Sequence, residues 1–122
     1  MYKIPEIPVP PMIPLQSLKD DVWKVIELEG PHAGMSFACD RRLVIGRSSK
    51  ECNIVFPSNA PGISKQHCEM IPSQEGVLLR DLNSSYGTFM ADGSPVSADK
   101  SVLLKKGDIF FLADKGAVFQ IK

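Results

Sequence analysis

The sequence is poor in the residue types that most readily announce a chemistry. It holds three cysteines, two histidines, one tryptophan and a single threonine in 122 residues. Cys39, Cys52 and Cys68 are isolated and odd in number, which argues against a disulfide framework and for a reducing compartment. No CxxC spacing occurs, and His32 and His67 do not complete a zinc set. No metal or other cofactor is therefore expected, and the thiols read as small buried side chains. Fourteen basic residues cancel fourteen acidic ones, so no global field points to nucleic acid or to an anionic membrane. No apolar run reaches the roughly 18 residues that suggest a membrane span. The N-terminus also lacks a basic start followed by an apolar stretch, so no secretory signal is expected and the chain reads as cytoplasmic.

What is present is ordinary in bulk and uneven in placement. A hydrophobic content of 43% and a charged content of 23% suit one soluble globular domain. Residues 1–17, "MYKIPEIPVPPMIPLQS", hold five of the ten prolines. Proline removes backbone donors and fixes φ, so residues 1–20 read as an extended arm or linker ahead of a domain spanning residues 21–122. "PVPP" has the composition of a ligand for a proline-binding module; the plainer reading, a tether to a neighbouring domain, is preferred.

From Val22 onward, glycines and prolines recur between short apolar pieces: "VWKVIEL", "MSFAC", "RLVIG", "NIVF", "HCEMI", "VLLRDL", "TFMA", "SVLL", "DIFFL" and "AVFQI". Each is of strand length, and many are rich in Val, Ile or Phe. None extends to a helix of ten or more residues without crossing a breaker. This spacing predicts an all-β sandwich or barrel, with Asp92-Gly93 as a two-residue hairpin turn and Glu75-Gly76 and Lys115-Gly116 as weaker turns. The loops at one end of such a sandwich are free to bind.

Three of those loops carry unusual chemistry. "IGRSSKECN" places Arg47 directly after Gly46, "PSNAPGISKQHC" ends in Ser64, Lys65 and His67, and "DLNSSYGTFM" runs through Ser85, Tyr86, Gly87 and Thr88. Between Arg41 and His67 there are five Lys or Arg residues against one acid, Glu51. A Ser64–His67 nucleophile–base pair is disfavoured, because residues three apart on a strand point to opposite faces and no carboxylate is placed to orient the histidine. No G-x-S-x-G elbow and no phosphate-cradling glycine loop of the nucleotide-binding kinds occurs. A phosphoryl group, with a charge near −2 and three acceptor oxygens, is matched by a guanidinium, a hydroxyl and an ammonium. Spacing alone leaves this reading level with ordinary surface loops.

The ordered set of Gly46-Arg47, Ser64-x-x-His67, "DLNSSYGTF" and "KKGDIFFL" resembles the forkhead-associated (FHA) domain family over about residues 22–122. The resemblance implies a two-sheet β-sandwich of about eleven strands with phosphothreonine-binding loops at one end. By position, Arg47, Ser64 and Lys65 would bind the phosphate and Ser85 would contact the phosphothreonine. Gly46, His67, Gly87 and Thr88 would support the loops, with His67 bracing them by hydrogen bonds. Tyr86 stands where the family commonly has an Asn that holds the peptide backbone; a phenol lacks the amide's paired geometry and offers an aromatic wall instead. Asn53 stands where an acid is frequent, a change expected to affect only local bonding. The implied function is a non-catalytic phosphothreonine-peptide module in Ser/Thr kinase signalling, which requires a phosphorylated protein partner and a kinase. The alternative is a scaffold of the same fold that docks an unphosphorylated partner through a sheet face or the Tyr86 loop.

Overall fold

A computed structural model describes residues 22–122. The proline-rich arm of residues 1–20 lies outside the described residues. Ten strands follow in chain order: β1 (Trp23–Glu29), β2 (Ser36–Cys39), β3 (Leu43–Gly46), β4 (Ile54–Val55), β5 (Cys68–Pro72), β6 (Val77–Asp81), β7 (Thr88–Met90), β8 (Val102–Leu104), β9 (Ile109–Leu112) and β10 (Ala117–Ile121). Each apolar piece read from the sequence supplies one strand. An eleventh is present only as a single bridge between Phe89 and Pro95.

The strands form two five-stranded sheets, ordered β2-β1-β10-β9-β7 and β4-β3-β5-β6-β8. Neighbours pair antiparallel except β3 and β4, which run parallel. Alternation along each strand sends one set of side chains inward. Val25, Phe110, Leu112, Phe119 and Ile121 from the first sheet meet Ile45, Cys68, Met70, Leu79 and Leu104 from the second, and all are essentially fully buried. Phe110 and Phe119 stack with centroids 5.2 Å apart. Each such side chain contributes roughly 1.5–3 kcal/mol by leaving water, which is how two sheets of short strands hold together.

The hairpin after β7 differs from the sequence expectation. Gly93 N–H donates to the Met90 carbonyl (2.8 Å) and Met90 N–H to the Ser94 carbonyl (2.9 Å), so the turn spans Ala91, Asp92 and Gly93. Only Gly93 takes a left-handed backbone, at φ +89°. This is the three-residue hairpin in which glycine occupies the left-handed place, rather than a two-residue turn. Asp92 serves it through its carboxylate, which accepts both the Ser94 N–H (2.9 Å) and the Ser94 hydroxyl (2.7 Å).

Candidate functional site

The β3–β4, β4–β5 and β6–β7 connections meet at one end of the sandwich, joined there by the β9–β10 turn. Their assembly begins at Gly46, the last residue of β3. A Cβ at this position would lie 2.2 Å from the Lys65 carbonyl oxygen and 2.9 Å from Cys52 Sγ. The missing side chain lets two loops touch through their backbones: Arg47 N–H donates to the Ser64 carbonyl and Ser48 N–H to the Lys65 carbonyl, each at 3.1 Å. Gly46→Ala is therefore expected to lower stability by about 1–3 kcal/mol through overpacking. Thermal denaturation checks this, and an unchanged midpoint would refute the close approach.

Arg47 is half-buried, and its guanidinium is held by main-chain carbonyls. Nε donates to the Ile63 carbonyl and Nη1 to that of Ser58 (2.9 Å). A guanidinium has five N–H donors, so this fixes its plane and leaves the remainder for a ligand. Ser64 is the meeting point of the loops. Its Oγ accepts the Ser85 N–H at 3.0 Å, which leaves the hydroxyl proton free to donate. Its own N–H donates to His67 Nδ1 at 3.1 Å.

His67 is completely buried. Nδ1 accepts from Ser64, and Nε2 therefore carries the proton, which it donates to the Gly87 carbonyl at 2.8 Å. One neutral imidazole thus ties the β4–β5 loop to the β6–β7 loop. The Ser64–His67 segment is a bend between strands, not strand as the alternation argument assumed. The ring folds back on the Ser64 main chain, and neither ring nitrogen remains to take a proton from the Ser64 hydroxyl. Burial pushes the imidazole below its ordinary pKa of 6.5, against the opposing pull of the Gly87 carbonyl and Asp81. Below about pH 6.5 the unfolded chain then binds more protons at this residue than the folded one. Stability is expected to be full above that pH and to decline as acid carries the protein down through the lowered folded value. Urea denaturation at a series of pH values measures the slope.

The β6–β7 loop is organised by Asp81, a residue the sequence reading passed over. Asp81 Oδ1 accepts the hydroxyls of Ser84 (2.6 Å) and buried Thr88 (2.7 Å), and Oδ2 accepts the Ser84 N–H (2.9 Å). Ser84 Oγ in turn accepts the Gly87 N–H at 2.9 Å. Asn83 takes a left-handed backbone at φ +59°, a conformation asparagine tolerates. The visible signal was Asp81 three residues ahead of Ser84, the spacing of a side chain that caps its own turn. Asn53 ties the end of the β3–β4 loop back to β3: its Oδ1 accepts the Val44 N–H, and its N–H donates to the Val44 carbonyl, both at 2.8 Å. Cys39 and Cys68 are buried, but Cys52 is half-buried at the site, its thiol donating to the Lys65 carbonyl at 3.0 Å.

Arg47, Ser64, Lys65, Ser85 and Tyr86 line one groove of about 560 Å³, together with Ser58, Asn59, Ala60, Gly62 and Ile63. No acid lines it, while Arg47 and Lys65 both do. Lys65 and Ser85 are exposed, and Tyr86 is 67% exposed on the rim. Gly46, His67, Gly87 and Thr88 lie behind the groove. An apolar cavity of about 340 Å³ adjoins it, sharing Asn59, Ala60 and Ile63 and closed by Phe56 and Leu112.

A two-sheet sandwich whose polar, cation-bearing loops gather at one end defines an interaction domain. The FHA domain model matches residues 43–113, more than half of the chain, and the chain belongs to that family. Among solved structures it is similar to the FHA domain of the CT664 protein from Chlamydia trachomatis, at 21% identity and TM-score 0.69, over 82% of this chain and 95% of that one. It is likewise similar to an FHA domain studied for phosphothreonine-dependent interactions, at 22% identity and TM-score 0.66, over 83% and 95% of the two chains. A third likeness is the cytoplasmic domain of PscD, a type III secretion sorting-platform protein of P. aeruginosa, at 17% identity and TM-score 0.66, over 82% and 78%. No curated protein matches the chain.

Proposed function

We propose that the chain is a non-catalytic module that recognises phosphothreonine in a partner protein. In this reading Arg47, Ser64 and Lys65 take the phosphate, while Ser85 and Tyr86 contact the phosphothreonine residue and its neighbour. The observation that carries it is the convergence of a guanidinium, a hydroxyl with a free proton and an ammonium on one acid-free groove. Each charge-assisted hydrogen bond contributes roughly 1.5–3 kcal/mol, so a few of them support specific binding of a dianion. The phosphothreonine-dependent interactions of a structural relative point the same way. The apolar Ala60 and Ile63 on the groove wall offer a place for the threonine γ-methyl.

The phosphate comes from elsewhere than the described domain. Thr88, the chain's one threonine, is buried with its hydroxyl on Asp81. In this reading a Ser/Thr kinase writes the mark on another protein or on sequence beyond these 122 residues, and the exchange belongs to a cytoplasmic setting. No helix among the described residues is long and apolar enough to cross a membrane.

One observation favours a second reading. Tyr86, exposed and standing in the place of a peptide-holding amide, suits docking of an unphosphorylated partner through its aromatic face. A phosphothreonine peptide library, screened beside its unphosphorylated twin, separates the two. Retention of phosphorylated members alone supports the phosphate reading, and equal retention of both sets sinks it.

A further inference from the structure

The β6–β7 loop carries two adjacent serines with opposite fates. Ser84 is spent on the fold: its hydroxyl donates to Asp81 Oδ1 at 2.6 Å and accepts the Gly87 N–H at 2.9 Å. Ser85 is exposed, and its hydroxyl has no hydrogen-bond partner among the described residues. Its main chain is nevertheless pinned, because its N–H donates to Ser64 Oγ at 3.0 Å. An unengaged hydroxyl on a fixed backbone thus stands in the groove wall beside Ser64.

The groove around it has the charge to receive a dianion. Arg47 and Lys65 line it together with Ser85, and no acid does. The Arg47 guanidinium is already aimed by the Ile63 and Ser58 carbonyls, which leaves N–H donors for a further acceptor. The Ser64 hydroxyl proton is free, since Ser64 Oγ accepts rather than donates in its bond with Ser85. These are the donors a phosphoryl group takes, and a phosphate on Ser85 Oγ would arrive already tethered among them. Ser58, the other exposed serine of the groove, meets Arg47 through its carbonyl and makes no bond to Ser64.

We propose that Ser85 is a phosphorylation site, and that its phosphate seats on Arg47, Ser64 and Lys65 as the groove's own ligand, closing it to partners. The inference rests on the phosphate reading of the groove and adds a means of turning it off. A protein kinase transfers the γ-phosphoryl of ATP to Ser85 Oγ: an O–P bond forms there, the bond to ADP breaks, and the hydroxyl proton leaves. With Asn83, Ser85 and Tyr86 all exposed, the loop tip is open to such an enzyme. The phosphate brings a charge near −2 against the two cations, so a second dianion meets a neutralised site. A tethered ligand also acts at a roughly millimolar effective concentration, far above that of a free partner protein.

The test installs phosphoserine at Ser85 of the full chain through an expanded genetic code and reads it in two ways. Phosphorus NMR follows the second ionisation of the phosphate, ordinarily near pH 6. Cations in contact favour the dianion, so the midpoint is expected to fall by about one unit or more. The reference is phosphoserine placed at Ser101, which is exposed and does not line the groove. Arg47→Ala and Lys65→Ala should each return part of that shift. Titration with a phosphothreonine peptide should give an affinity at least about a hundredfold below that of the unmodified chain, the factor that two charge-assisted bonds carry. A midpoint matching that at Ser101, or one that neither substitution moves, overturns the proposal. So does a modified chain that keeps its affinity for the peptide. A modified chain that sediments as a dimer overturns it too, because the phosphate then sits in a second copy's groove. The phosphorus titration needs no peptide. An unmodified chain that ignores phosphothreonine therefore sinks the reading of the groove, while a lowered midpoint still shows the Ser85 phosphate seated on its cations.

Discussion

Arg47→Ala is expected to reduce affinity for a phosphothreonine peptide by at least about a hundredfold while leaving the fold intact. Two or more charge-assisted bonds from one guanidinium amount to about 3 kcal/mol or more, and each 1.4 kcal/mol is tenfold in affinity. The loss falls on binding because the carbonyls that Arg47 now holds, those of Ser58 and Ile63, border an open groove where water can replace it. Arg47→Lys keeps the charge and forfeits the fork, so a loss of roughly tenfold is expected there. Affinity in the native protein should also weaken with salt, as exposed Lys65 is screened. Titration calorimetry with the phosphorylated peptide and its unphosphorylated twin reads all three. Alanine binding as tightly as arginine would return the groove to an ordinary surface and leave the Tyr86 loop or a sheet face as the docking site.

The contrast between what the sequence disclosed and what it hid follows from which atoms carry the information. Strands were legible because burial on alternate faces demands apolar side chains in short runs, and side chains are what a sequence spells. All ten apolar pieces became strands. Which strands share a sheet was not legible, since pairing such as β1 with β10 depends on main-chain partners far apart in the chain. The Asp92-Gly93 turn was placed correctly and counted one residue short, because Ala91 carries no turn signature and only Gly93 takes the left-handed backbone. At the site, Arg47, Ser64 and Lys65 were visible as side chains and the structure gathers them in one groove. The carbonyls that aim Arg47 were invisible, because Ser58 and Ile63 contribute backbone atoms that any residue would supply. Asp81 was hidden for another reason: it closes a strand and reads as a polar strand end, yet its carboxylate gathers Ser84 and Thr88 behind the groove.

His67→Ala should produce the opposite pattern from Arg47→Ala, with stability falling first and binding falling as a result. The ring is fully buried, so its removal leaves a void that the surrounding β-sheets collapse into only partly. The Gly87 carbonyl keeps a partner, the Ala113 N–H at 3.0 Å, but the Ser64 N–H loses its acceptor. An orphaned buried donor costs about 1–3 kcal/mol, and with the void the total is on the order of 3 kcal/mol. That is a large share of the roughly 5–15 kcal/mol by which a domain is stable, and it corresponds to a melting midpoint lower by about 15 °C. The decline in stability below pH 6.5 should disappear in the same variant, because the group that resists protonation is gone. Phosphopeptide affinity should fall even below the new melting temperature, since Ser64 and the Ser85 N–H it accepts no longer share a frame with Gly87. Equilibrium denaturation at pH 7.5 and pH 5.5, paired with peptide titration at low temperature, distinguishes the two roles. A His67→Ala protein as stable as the native one at pH 7.5, with the acid slope retained, would mean that the loops are held together by Asp81 and Gly46 alone.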